Sequence, residues 1–193
     1  RAAMYVAVVQ QWLRHSRFPV LLVENQGFAF NLTHPRLEIV SFFDNPLVAE
    51  HNATAESKLR KGFREWFAMR YALRESTFAR RCNVVIKLTG KYFLPAFGAW
   101  FWAHYHEGTA LRQAPRALHQ QQYNPSELFV LPADRFDTVT DLTILSVKYY
   151  FAVELLFYER MEQLSKSIEL RTLPPFRVDG VVHRGDGERI DVI

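Results

Sequence analysis

Apolar residues recur at helical spacing near the start of the chain, where Val6, Val9, Trp12 and Leu13 line one side of a helix predicted over residues 3–16. Phe18-Pro19 then leads into the apolar run Val20 to Val23, which reads as a buried strand closed by the turn Glu24-Asn25-Gln26-Gly27. A second strand is expected over residues 37–43, ending at Asp44-Asn45-Pro46, where the proline argues against further pairing. The broadest apolar stripe belongs to Leu59, Phe63, Trp66, Phe67, Tyr71 and Leu73. It predicts a helix from Glu56 to about Arg80, with Lys61 and Glu65 paired four residues apart. That helix leads into the strand Val84 to Leu88, an order that implies parallel pairing and puts the third strand at the centre of a sheet.

Beyond Pro95 the aromatic run Phe97, Trp100, Phe101 and Trp102 reads as a short helix, and a polar stretch without clear periodicity follows to Asn124-Pro125. Glu127 to Leu131 reads as another strand. Asp141 to about Ser167 is amphipathic and predicts a long helix that Leu173-Pro174-Pro175 terminates. The tail from Val178 to Ile193, with Asp179-Gly180 and Gly185-Asp186-Gly187, forms a hairpin or a loose flap. The pattern as a whole is α/β, and no internal repeat or low-complexity segment interrupts it.

Composition narrows the class. With 193 residues, 49% apolar and 23% charged, the chain suits one domain around one core, and disorder is excluded. No segment approaches the roughly 20 apolar residues of a membrane-spanning helix. The formal charge of +4 weakly favours anionic ligands. The basic groups at Lys58 to Arg64 and Arg80-Arg81 lack the interleaved aromatics of an RNA-stacking module, so no nucleic-acid partner is expected. One cysteine, Cys82, excludes an internal disulfide and a multi-cysteine zinc site. The triplets Asn31-Leu32-Thr33 and Asn52-Ala53-Thr54 are glycosylation sequons that would suit a secretory lumen, but such triplets also arise by chance, and a cytoplasmic location stays open. Arg1-Ala2-Ala3-Met4 enters the first helical pattern at once, which reads as an internal start within something longer.

The strongest chemical signal is Val84-Val85-Ile86-Lys87-Leu88-Thr89-Gly90-Lys91-Tyr92-Phe93, an apolar strand that breaks into a cationic, hydroxyl-bearing turn. Ligands of open α/β sheets bind at the carboxyl ends of strands. There, Lys87 or Lys91 would neutralise a diphosphate, the Thr89 hydroxyl would bond an oxygen, and Gly90 would allow close backbone approach. Glu24 with Asn25, and Asp44 with Asn45, sit at the ends of the two earlier strands and would share that edge. The plainer alternative makes Gly90 part of a bulge and leaves both lysines solvated.

Three segments in order resemble nucleotide-diphospho-sugar transferase-like proteins, whose hallmark is a Lys-x-Thr-Gly-Arg/Lys-Tyr segment. They are the Phe-Pro-apolar strand closing in Val23-Glu24-Asn25, the Lys61-Gly62 helix start with Glu65, and Ile86 to Phe93. The resemblance covers residues 5–95, and Ser126-Glu127 and Leu173-Pro174-Pro175 more loosely. It implies a GT-A type glycosyltransferase with a Rossmann-like, mostly parallel sheet flanked by helices and lacking its first strand. Residues 1–95 would then form the nucleotide-sugar-binding half, and residues 96–193 the acceptor side and tail. The same resemblance implies that Glu24 and Asn25 lie near the nucleoside, Lys61 and Gly62 border the donor site, and Lys87, Thr89, Gly90, Lys91 and Tyr92 face the diphosphate or sugar. Many such enzymes hold Mn²⁺ or Mg²⁺ with an Asp-x-Asp pair. This chain has Thr89 and Lys91 in that region, so transfer without a metal is the expectation, with a metal still possible.

A transferase also needs a carboxylate to take the acceptor hydroxyl's proton. Glu127, Glu154 and Asp186 are the candidates, and Glu154, between Val153 and Leu155, is alternatively a buried, partnered acid. His104 and His106 could share a strand face as metal ligands, but no third ligand is placed by the sequence. Trp100, Trp102, Tyr105 and Tyr123 would stack on an acceptor sugar or simply fill the core. The expected partners are a nucleotide-sugar donor and a glycan, protein or lipid acceptor. Two competing readings remain: a non-catalytic nucleotide-sugar or glycan-binding domain, and an α/β interaction module that docks a partner through the helix around Tyr149 to Tyr158.

Overall fold

Each side chain of the strand at Leu128–Pro132 is buried, so its sheet must be covered on both faces. The computed structural model of the chain describes residues 2–24, 27–41, 61–118, 121–141, 153–183 and 189–193. Its helices are α1 (Ala2–His15), α2 (Lys61–Glu75), α3 (Phe97–His104), α4 (Ala133–Thr140) and α5 (Val153–Leu164). Its strands are β1 (Val20–Glu24), β2 (Leu37–Ser41), β3 (Val84–Leu88), β4 (Ala110–Arg112), β5 (Arg116–Leu118), β6 (Gln121–Tyr123), β7 (Leu128–Pro132), β8 (Leu170–Thr172), β9 (Arg177–His183) and β10 (Arg189–Val192).

A four-stranded sheet in the order β3-β7-β4-β8 forms the middle layer. Alternation along β7 sorts its cover. Leu128 and Val130 join Phe97 and Phe101 of α3, with Phe176, Val178 and Ile193 of the tail, and Trp12 of α1 packs against them. Phe129 and Leu131 point to the other face and join Trp66 of α2, Phe136 and Val139 of α4, and Phe157 and Met161 of α5. The result is a mixed α/β structure with helices on both faces of the sheet. No described helix is long and apolar enough to cross a membrane.

A smaller parallel pair, β1 with β2, stands beside this sheet, and α2 links the two, since Ala68 packs with Val23 while Trp66 enters the core under β7. Arg36 fixes the pair to α1 by donating to the carbonyls of Leu13, Ser16 and Phe18. Glu38 of β2 fixes it to the end of α2. Its carboxylate accepts bonds from Ser76 Oγ (2.6 Å), Thr77 N (2.9 Å), Thr77 Oγ1 (3.2 Å) and Phe78 N (3.0 Å). Partial burial opposes its charge, and these bonds outweigh that opposition and lower its pKa.

Several sequence expectations are corrected. β3 is an edge strand of the described sheet and pairs antiparallel with β7, because the chain returns through β4, β5 and β6 before β7 and so approaches β3 from the opposite direction. Parallel pairing is present at β1/β2 and β4/β8, and β4 and β7 are antiparallel, so the sheet is mixed. The helix expected to run to Ser167 and end at the prolines stops at Leu164, and Leu170–Thr172 becomes a strand on β4. The tail forms the β9/β10 hairpin. The described part of the supposed docking helix buries Val153, Leu156, Phe157, Met161 and Leu164, so that face belongs to the core; Tyr149 lies outside the described residues.

Candidate functional site

Because β7 runs antiparallel to both β3 and β4, the carboxyl ends of β3 and β4 meet the amino end of β7 at one edge of the sheet. That edge is polar. Lys87 pairs in register with Phe129, on the strand face that also carries Val85, and its ammonium lies 6.0 Å from the centre of the Phe129 ring. Its stem follows apolar surface and its charge emerges among oxygens. Nζ donates to Glu65 Oε1 at 2.8 Å, to Thr89 Oγ1 at 3.3 Å and to the Ser126 carbonyl. Three acceptors use all three donors of an ammonium. The Lys87 side chain is 6% exposed and that of Glu65 is 42% exposed, so Glu65 is the acceptor that solvent or a ligand can replace.

The same edge gathers the loop before β7. Thr89 N donates to the Glu127 carbonyl at 2.8 Å, and Tyr92 N to the Thr89 carbonyl at 3.0 Å, which closes the Thr89 to Tyr92 turn. Ser126 Oγ lies 3.4 Å from Glu154 Oε1 in the first turn of α5, and Asn124 N donates to the Glu154 carbonyl at 3.3 Å. Gln113, just past β4, accepts the Leu128 N–H at 3.0 Å. Asn124 is fully buried (0% exposed), and neither its Oδ1 nor its Nδ2 has a partner among the described residues. Glu127 Oε2 is likewise enclosed without a partner. Buried polar groups are almost always hydrogen-bonded, and Arg112 Nε and Arg160 Nη2 are further exceptions among the described residues.

The predicted residues are distributed as follows. Lys87, Thr89, Glu127 and Glu154 come together, and Glu65 of α2 joins them through its ion pair with Lys87. Lys91 makes no ion pair among the described residues, and its ammonium rests 5.1 Å from the Tyr92 ring. Tyr92, expected to face a ligand, is instead 1% exposed in the core beside Leu94 and Phe97, and its carbonyl accepts the Trp12 indole N–H at 2.9 Å. Gly90 does allow a close approach, but of α1: a Cβ there would meet the Tyr5 ring at 3.3 Å. Glu24 lies in the other sheet, 5% exposed, and its carboxylate accepts the N–H of Gly27, which stands at φ 79°, at 3.0 Å. Lys61 and Gly62 begin α2, with the Lys61 side chain outside the described residues, as are Asn25, Asp44, Asn45 and Asp186.

His104 stacks on Trp100 at 5.2 Å and sets Nδ1 2.8 Å from the Trp100 carbonyl, a helix-end role rather than a strand-face ligand. Among the described residues no three His, Cys, Asp or Glu side chains gather to hold an ion. Neither Asn124 nor Ser126 is a site candidate in the sequence, where Ser126-Glu127 enters only the looser part of the resemblance and Asn124-Pro125 reads as a turn before a strand. Compared with protein-family models, with curated proteins and with solved structures, the chain has no significant match in any of the three.

Proposed function

We propose that the polar end of the four-stranded sheet binds a nucleoside-diphosphate sugar and that the chain is a glycosyltransferase of the GT-A kind. The observation that carries this reading is the enclosed, unpartnered Asn124 amide at the point where Ser126, Glu154 and the Lys87 to Thr89 segment converge. Leaving such a group without a partner costs roughly 1–3 kcal/mol, which a polar ligand that reaches it returns on binding. Asn124 and Ser126 bond sugar hydroxyls in this reading. Lys91 accompanies the diphosphate, and Lys87 holds the Thr89 and Ser126 segments in place. Glu154 takes the proton of the acceptor hydroxyl, with Glu127 as the second candidate. The acceptor oxygen bonds to the anomeric carbon as that carbon's bond to the diphosphate breaks, and the electron pair leaves with the diphosphate.

Saturation-transfer NMR with UDP-glucose, GDP-mannose and ADP-glucose, each with Mn²⁺ and with EDTA, tests the proposal. The expected result is binding of one donor by the wild type, its loss in Asn124→Leu, and about tenfold weakening in Lys91→Ala, a change of roughly 1.4 kcal/mol. No donor binding under either condition overturns it. Binding without release of nucleotide in the presence of any acceptor shifts the reading to a sugar-nucleotide-binding domain.

A further inference from the structure

The opposite end of β3 carries a concave feature of different chemistry. Asn83, Val84, Phe101, Trp102, Tyr105 and Glu107 line an open cleft of about 310 Å³, at the small end of ligand-site volumes and on the scale of one or two sugar rings. Phe97 and Phe101 are the buried residues of α3, and the next position, Trp102, is 65% exposed. A single exposed aromatic is ordinary on a protein surface. This one is held in place within a cleft. Phe18 stacks under the indole at 5.4 Å and 20°, and Phe101 meets it edge-on at 5.4 Å and 82°.

The cleft's polar groups are also arranged. Thr109 N donates to the His106 carbonyl at 3.1 Å, and Gly108 at φ 81° takes the left-handed position of that turn, which projects Glu107 beside the start of β3. Asn83 Nδ2 donates to Glu107 Oε1 at 3.2 Å. The pair then still offers an amide N–H, an amide oxygen and a carboxylate oxygen. Burial, and then the Glu107 charge, raise the pKa of the adjacent Tyr105 phenol, and the Gly108 N–H acts weakly against them.

We propose that this cleft is a saccharide-binding site, in which Trp102 stacks on the apolar face of a pyranose ring and the Asn83–Glu107 pair bonds its hydroxyls. A sugar ring has one face of C–H groups and an edge of hydroxyls that both donate and accept, which matches one rigid exposed ring beside an alternating donor and acceptor pair. A cation cage needs several free ring faces. Here Phe101 and Tyr105 stack on each other at 4.6 Å and 14°, and Phe101 is 1% exposed, so Trp102 supplies the exposed ring. Because Trp102 is preordered, little conformational entropy is lost on binding. The inference does not rest on the donor-site reading.

Titration of the protein with cellotriose, maltotriose and N,N′,N″-triacetylchitotriose, read by indole fluorescence and saturation-transfer NMR, tests it. The expected result is saturable binding of at least one trisaccharide, weakened at least about tenfold in Trp102→Ala, weakened less in Glu107→Gln, and unchanged in Lys91→Ala. Wild-type circular dichroism in Trp102→Ala shows that the loss is local. The proposal is overturned if none of the three sugars binds, or if Trp102→Ala binds as the wild type does. Binding of tetramethylammonium in place of the sugars, lost in both cleft variants, also overturns it and makes the cleft a cation site.

Discussion

β3 is only five residues long, and its two ends solve opposite problems. At the carboxyl end a full charge is buried and every donor on it is used, whereas at the amino end the indole of Trp102 is left largely in solvent. The polar end draws on β3, α2, the loop before β7 and α5, so it exists only when the tertiary structure is complete. The aromatic end is built almost wholly from residues 83–107, with Phe18 beneath, and depends on local structure and one helix. Removing a group from the first should therefore disturb stability, and removing one from the second should disturb binding alone.

Lys87→Met tests that contrast most strongly. It keeps the stem over Phe129 but leaves the Ser126 carbonyl and the Thr89 hydroxyl without their donor. It should cost roughly 2 kcal/mol, less than a fully buried pair would because Glu65 can be rehydrated. A fall in the urea midpoint at unchanged slope is the readout.

Glu38→Gln is expected to cost about 1–2 kcal/mol at neutral pH, because the neutral amide accepts more weakly from Ser76, Thr77 and Phe78. These residues sit between α2 and β3, so this change loosens both ends of the comparison at once. The sign with pH follows from the lowered pKa. The folded state holds fewer protons on Glu38 than the unfolded chain, so its stabilisation is complete above the ordinary carboxylate value and is lost as pH falls through the lowered one. Urea unfolding of wild type and variant from neutral to acid pH should converge there, and a gap that persists in strong acid counts against the carboxylate's role.

Asn124→Leu should act in the other direction. It removes two buried polar atoms that have no partner among the described residues, and should raise stability by about 1 kcal/mol while abolishing donor binding, a trade expected of a preorganised site. Destabilisation instead would mean that the amide is structurally satisfied and that the site is not poised for a ligand. The smallest effect belongs to Trp102→Ala, within about 0.5 kcal/mol by thermal unfolding, as for most exposed positions. The double variant Lys87→Met/Trp102→Ala should be additive within about 0.5 kcal/mol, and a larger coupling would break the division into two independent ends.

Much of the local structure was legible. The stripe through Trp66 and Tyr71 marks α2, the aromatic run at Phe97 marks α3, and the break at Leu88-Thr89-Gly90 marks the end of β3, because each depends on periodicity or turn chemistry within a few residues. The short strands at Ala110–Arg112, Arg116–Leu118 and Gln121–Tyr123 were not, since three-residue pairings have no period to detect. The candidate site was half legible. Lys87, Thr89 and Glu127 could be named from their places at strand ends, and Glu154 as a carboxylate set in an apolar helical stretch. Asn124 could not, because an asparagine before a proline looks like any turn until its burial is known. Tyr92 and Gly90 were misjudged for the same reason: their neighbours, Trp12 and Tyr5, come from a helix some 80 residues away in the chain.

Local pattern is enough to mark the longer helices and strands, the end of β3, and the hydroxyl and two cations that stand there, because covalent neighbours and hydrophobic period act over a few residues. Packing alone makes β3 run antiparallel to β7 at a sheet edge, gives Lys87 Glu65 as its ion-pair partner, buries Asn124 with no partner among the described residues, and leaves Trp102 the most exposed large aromatic of its helix. Those outcomes turn on which distant surfaces exclude water from one another, a property of the packed chain and not of any stretch of it.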